Sequence, residues 1–353
     1  MVVKFRSTKL VPRERGQEFG FAHRTQIQSN IETYQHLFLH FGGNANQVFE
    51  FGQMALTTIA EFAPPLFEEI LGLADGTNVD PALIGMLNAR TEILAILKAK
   101  LNGECSVVVH VPARGSPPQS VQTWDWFYRL RNGWLVWEIP LADGTVTKTM
   151  TEYGIVGKSG LNTRGLGLLF TILHHKMDGQ KMGVPVHVAA RWALDNSQNI
   201  ASAAQMLAQA QVSASSSINL VSYQDETAAA ITVELCPHGS DFVLPNESGY
   251  IIHTNHFLAD RLKHGDTEPR IHPDTLLRQS YLWQQMQHVR APSSADIIAV
   301  MASHSGGDGA VCCHHNPQAS PYDQIETLAT IALHLESGEL EVTAGGPCLV
   351  KPK

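Results

Sequence analysis

The sequence predicts a layered α+β protein on three observations. Its first third has helical periodicity, short β-branched runs replace that pattern after residue 101, and many of those runs are apolar on both faces. A sheet apolar on both faces must be covered on both sides, by helices or by a second sheet. With 353 residues, 44% hydrophobic and 16% charged, the chain can build one large core or two smaller ones, which excludes disorder and collagen.

From Gly16 to about Leu101, apolar residues recur every three or four positions, as in NIETYQHLFLHF (30–41) and ALIGMLNARTEILAILKAKL (82–101). Phe62-Ala63-Pro64-Pro65 breaks one helix, and Asp80 followed by Pro81 supplies an N-cap and N1 pair for the next. From Cys105 the runs SVVVHV, VQTWDWFYRL, WLVWEIPL and TVTKTM, separated by turn residues, predict antiparallel hairpins. GIVGKSGLNTRGLGLLFTIL (154–173) reads as two buried strands about a Gly-rich turn, continued by SSINLVSY, AAAITVEL and GYIIHTNHF. Spacing predicts one long amphipathic helix over Pro185 to Gln211, then helices over Pro269 to His288 and Ser294 to Ser303. A hairpin from TLATIALHL to LEVTAGG closes the chain.

Charge and cysteine usage narrow the function classes. Twenty-five Lys and Arg against 33 Asp and Glu give a net charge of −8, with no basic stripe to displace counterions, so nucleic acid is not an expected partner. The longest apolar stretch, Leu166 to Leu173, is far short of the roughly 20 residues of a membrane span. Five cysteines are an odd count and the start of the chain lacks a secretory apolar region, so a reducing, cytoplasmic location is expected.

The helix-to-strand switch at Asn102-Gly103-Glu104-Cys105 puts a cysteine at the head of the first predicted strand. Alone, such a cysteine is most often a small buried hydrophobe. Further on come Gln122-Thr123-Trp124-Asp125-Trp126-Phe127, then Thr151-Glu152-Tyr153-Gly154-Ile155-Val156-Gly157-Lys158-Ser159-Gly160-Leu161-Asn162, then Gly183-Val184-Pro185 and His253-Thr254-Asn255-His256. In this order they resemble the acyl-coenzyme A:6-aminopenicillanic acid acyltransferase family, the isopenicillin N acyltransferases, which are N-terminal-nucleophile hydrolases.

The resemblance implies a four-layer αββα sandwich and a precursor that cuts itself before a cysteine. Here that bond joins Glu104 to Cys105, dividing a helical segment, 1–104, from a catalytic portion, 105–353, that stays associated with it. The α-amine of a terminal cysteine, with a pKa of roughly 7.7–8.0, can take the thiol proton, so nucleophile and base share one residue. The same resemblance makes Asn255 an oxyanion donor, and Asp125 a carboxylate that orients the α-amine or holds a cationic substrate amine. Trp124, Trp126 and Asn162 are expected around the substrate, while Glu152 and Asn162 have an equally ordinary reading as buried polar residues that satisfy the backbone.

Two positions depart from the family pattern. Many members have Gly before the cysteine, where this chain has Glu104, a residue less tolerant of strained backbone. Members that handle the penicillin nucleus carry an arginine where this chain has Cys313, so the fork that would hold a substrate carboxylate is replaced by a thiol in the substrate site. A substrate with a hydrophobic or aromatic acyl group and a basic amine therefore fits better than a penicillin nucleus. The expected partner is a small-molecule amide or acyl thioester, and no cofactor is expected.

Three other readings compete. Cys312-Cys313-His314-His315 suggests a metal, but consecutive side chains of an extended stretch point to opposite faces, so no metal site is expected. A papain-like protease would start a helix at its cysteine, whereas SVVVHV reads as strand. A catalytically inactive relative acting as a binding module is the main alternative, favoured by Glu104 and by the missing arginine.

Overall fold

The computed structural model describes residues 2–99, 105–113, 115–289 and 291–351; Glu104, half of the predicted scissile pair, lies outside the described residues. The first third is helical as expected, after a short strand that periodicity does not reveal. The elements are β1 (Lys4–Arg6), α1 (Pro12–Ala22), α2 (Arg24–His40), α3 (Ala45–Phe62), α4 (Pro64–Thr77), α5 (Pro81–Asn88) and α6 (Arg90–Ile96). Asp80 caps α5 by accepting from the Ala82 N–H at 2.8 Å. Helices α1 and α4 touch backbone to backbone: a Cβ on Gly16 would lie 2.0 Å from the Glu69 carbonyl oxygen, and one on Gly72 would lie 2.1 Å from that of Arg13.

The strands and helices that follow are β2 (Ser106–His110), β3 (Gln119–Phe127), β4 (Trp134–Pro140), β5 (Val146–Glu152), β6 (Ser159–Asn162), β7 (Leu166–Ile172), α7 (Val186–Asn196) and α8 (Ile200–Ala208). Then come β8 (Ser216–Gln224), β9 (Thr227–Cys236), β10 (Gly239–Val243), β11 (Tyr250–His253), α9 (Glu268–Ile271), α10 (Asp274–Met286), α11 (Ser294–Met301), β12 (Ile325–His334) and β13 (Glu339–Ala344).

Two predicted helices are divided. The stretch expected to run from Pro185 to Gln211 stops at Asn196, because Asn199 turns extended and caps α8, exchanging hydrogen bonds with Ser202. His272 and Pro273 likewise separate α9 from α10, since the residue before a proline is driven out of the helical region. Strand β10 is a further addition to the elements expected from sequence.

Among the described residues the strands form two sheets, ordered β1-β4-β5-β6-β7-β8-β9-β10 and β11-β2-β3-β12-β13. Helices α7 and α8 lie on the larger sheet, and α10 and α11 on the smaller one. The layers are therefore helix, sheet, sheet, helix. Strand β2 illustrates the sidedness: Val107 and Val109 join the main core, while Val108 joins the cluster with Leu282, Met286, Ile297 and Met301 of α10 and α11. Side chains cross between the sheets, as where Gln122 of β3 accepts from Ser159 of β6 at 2.7 Å.

Candidate active site

Cys105 immediately precedes β2, so a strand and not a helix follows it. It is buried, and its Sγ lies 3.9 Å from the Asp125 carbonyl oxygen on the neighbouring strand β3. Burial pushes the thiol up to about 12, reinforced by the charge of Asp125 and partly offset by Lys158 and Arg278. In the intact chain the sulfur is thus held as a thiol.

Asn255 comes two residues after the end of β11, in a loop pinned from both sides. Glu234 of β9 accepts from the N–H groups of Leu258 at 2.7 Å and Ala259 at 2.9 Å, and the Asn255 N–H donates to Thr275 Oγ1 of α10 at 2.9 Å. The Asn255 amide faces an obligate donor on one side and an obligate acceptor on the other. Its Oδ1 accepts from Arg278 at 3.0 Å and its Nδ2 donates to the Ile172 carbonyl at 2.9 Å, which fixes the amide orientation and leaves a second N–H.

Arg278 joins two of the three predicted catalytic positions, Cys105 and Asn255. The same guanidinium donates to the Cys105 carbonyl at 2.9 Å, to Ser106 Oγ at 3.0 Å and to Asn255 Oδ1 at 3.0 Å, and pairs with Asp274 at 3.3 Å. Motif order does not single it out. Its signal lies in the helix pattern: Thr275, Arg278, Leu282 and Met286 form the buried stripe of α10, and a cation on such a stripe needs partners.

Asp125 is fully buried and pairs across the ladder with Thr327, beside a bulge in β12. Among the described residues no donor meets full hydrogen-bond geometry at either carboxylate oxygen. Burial pushes its carboxyl up to about 8, tempered by the Thr327 hydroxyl and Arg278. That hydroxyl accepts from the Cys313 N–H at 3.0 Å, so its own proton remains available to Asp125 at longer range.

The other expected substrate residues are distributed differently. Alternation along β3 puts Trp124 and Trp126 on one face of the strand and Asp125 on the other. Lys158 Nζ sits 3.9 Å from the Trp124 ring centroid, and the Arg90 guanidinium 4.1 Å from that of Trp126. Asn162 turns to the backbone, donating to Leu194 O at 2.7 Å and accepting from the Arg164 and Leu166 N–H groups. Cys313 Sγ approaches the Asp308 carbonyl at 3.3 Å and lines a cleft of about 400 Å³ that also reaches Asp274, the partner of Arg278.

Lys158 lies within the 151–162 motif, which assigns it no role. It is buried beside Glu152 at 3.2 Å, and burial together with Arg90 lowers its pKa to about 7. Its signal in the sequence is a lone charge inside the apolar run Ile155-Val156-Gly157-Lys158.

A match to known sequences shows the family. The family described as acyl-coenzyme A:6-aminopenicillanic acid acyl-transferase matches residues 119–348, well over half of the chain. The chain belongs to this family. A relative from Emericella nidulans, the acyl-coenzyme A:6-aminopenicillanic-acid-acyltransferase 40 kDa form, is 29% identical over 212 residues, 60% of this chain and 56% of that protein. The alignment thus spans little more than half of the relative's length.

Among solved structures, penicillin V acylase from Agrobacterium tumefaciens is similar with a TM-score of 0.43 and 15% identity, covering 68% of this chain and 83% of that one. A variant of conjugated bile acid hydrolase from Clostridium perfringens has a TM-score of 0.34 and 12% identity, covering 69% and 85%. The family assignment rests on the sequence match. No described helix is long and apolar enough to cross a membrane.

Proposed function

We propose that this acyltransferase-family chain is a self-processing cysteine amidohydrolase or acyltransferase. Water hydrolyses the bond between Glu104 and Cys105, leaving a carboxylate on Glu104, and the freed α-amine of Cys105 accepts the thiol proton. The sulfur then attacks an amide or thioester carbonyl. The tetrahedral oxyanion takes a hydrogen bond from the remaining N–H of Asn255, and the leaving amine or thiol departs with the proton. Water or an acceptor amine displaces the thioester and restores the thiol. Asp125, on the adjacent strand, is held neutral by burial until a cation lies beside it, and ionises to hold the cationic amine of the α-terminus or of a substrate.

The observation that carries this reading is the Arg278 clasp, which fixes the backbone of Cys105 and the amide of Asn255 with one guanidinium. Strand β1 pairs with β4, and Asn30 donates to the carbonyls of Gly133 and Tyr153, so a cut at residue 104 would leave the two fragments interlocked. The cysteines are thiols rather than disulfides, which suits a reducing, cytoplasmic setting.

Intact mass under denaturing conditions, followed over hours on fresh protein, tests the proposal. Fragments of residues 1–104 and 105–353, absent from Cys105→Ala, are the expected result. A single mass that never changes would favour an inactive relative acting as a binding module.

A further inference from the structure

We infer that His304, Cys312, His314 and Cys348 form a zinc site outside the catalytic centre. Their four ligand atoms all lie within 4.8 Å of one another. The expectation of no metal rests on four consecutive residues being unable to face one ion, and that objection does not apply to this set. Cys312 and His314 are alternate residues and turn to the same side, whereas Cys313 turns toward the Asp308 and Ile325 carbonyls. His315 is engaged elsewhere, stacked on Tyr128 and bonded to Glu326 at 2.7 Å. The remaining two ligands come from other segments of the chain.

The spacing suits tetrahedral zinc. Zn–S bonds of about 2.3 Å and Zn–N bonds of about 2.0 Å imply S···N edges near roughly 3.5 Å and N···N edges near roughly 3.3 Å. The observed separations are 3.8 Å from Cys312 Sγ to His314 Nε2, 3.6 Å from Cys348 Sγ to the same nitrogen, and 3.1 Å between the Nε2 atoms of His314 and His304. Gly346 makes room for this arrangement: an added Cβ would lie 2.5 Å from Cys312 Sγ. Its φ of −69° is open to any residue, so the demand for glycine here is one of space.

Two thiolates and two imidazoles are a donor set that selects zinc over hard cations, and four protein ligands leave no open position. The site is therefore structural. It would staple the segment carrying Cys313, one wall of the cleft, to the turn at Pro347–Leu349.

The test is zinc content of the full chain, purified under reducing conditions without chelator and dialysed against metal-free buffer. One zinc per chain is expected, with retention weakened at least about tenfold in His314→Gln and Cys348→Ser but not in His315→Gln. Cobalt added to the reduced apoprotein should give the visible bands of a tetrahedral thiolate complex, a readout that needs no variant to fold. Absence of both zinc and the cobalt bands would overturn the proposal, as would a Cys312–Cys348 disulfide in its place or equal zinc in all variants.

Discussion

Glu152 and Asp125 are both fully buried carboxylates, but their surroundings differ. Glu152 accepts from Arg90, Lys158 and Tyr34, and although burial opposes its ionisation, Arg90 and Lys158 hold its carboxyl below the usual range. Asp125 lacks a donor in full geometry among the described residues and is pushed up to about 8. A matched buried charge locks elements together. An unmatched one costs stability, and such groups concentrate where chemistry uses them.

Removing the matched carboxylate should have the largest effect. Glu152→Ala strands Arg90 and Lys158 without their shared partner, and chemical denaturation should show a loss of about 3–5 kcal/mol. Asn255→Ala should lower kcat about a hundredfold or more if its amide stabilises the oxyanion, with a smaller change in KM. Arg278→Lys keeps the charge but cannot span the Cys105 carbonyl and Asn255 together. Its expected effect is slowed self-cleavage by about tenfold, read from the time course of fragment masses.

Asp125→Asn leaves stability in acid unchanged and gives the sharpest sign, because its effect appears only as pH rises. A folded-state pKa of about 8 against an ordinary 3.8 means that this group's contribution is fully present below about pH 4 and is lost as pH rises through 8. The neutral variant lacks that decline. Its Tm should match the parent in acid and exceed it by several degrees in alkali. In a substrate series it should weaken cationic amines more than neutral ones; equal losses would remove the amine-binding role.

Much of the fold was legible because burial writes its period into the chain. The β2 run Ser106–His110, the β6–β7 hairpin and the β12–β13 hairpin fall where alternation and turn residues put them. Boundaries inside helical patterns were less legible, since periodicity continues across Asn199 and Pro273 while capping and proline geometry end the helices there. Motif order offered Cys105, Asp125 and Asn255 as candidates. Arg278 was visible only as a cation on the apolar stripe of a helix, and Lys158 lay within the 151–162 motif without a role assigned to it.

The sequence by itself determined the layered α+β class, the helix-to-strand switch before Cys105 and the family to which the chain belongs, because these depend on local period and on ordered motifs. Tertiary structure alone decided which face of β3 each side chain takes, how Arg278 joins Cys105 to Asn255, and how His304 and Cys348 come beside Cys312 and His314. The pairings join residues of different segments, Arg278 with Cys105 and Cys348 with Cys312 and His314, and only the packing of the sheets and helices brings such residues within bonding distance.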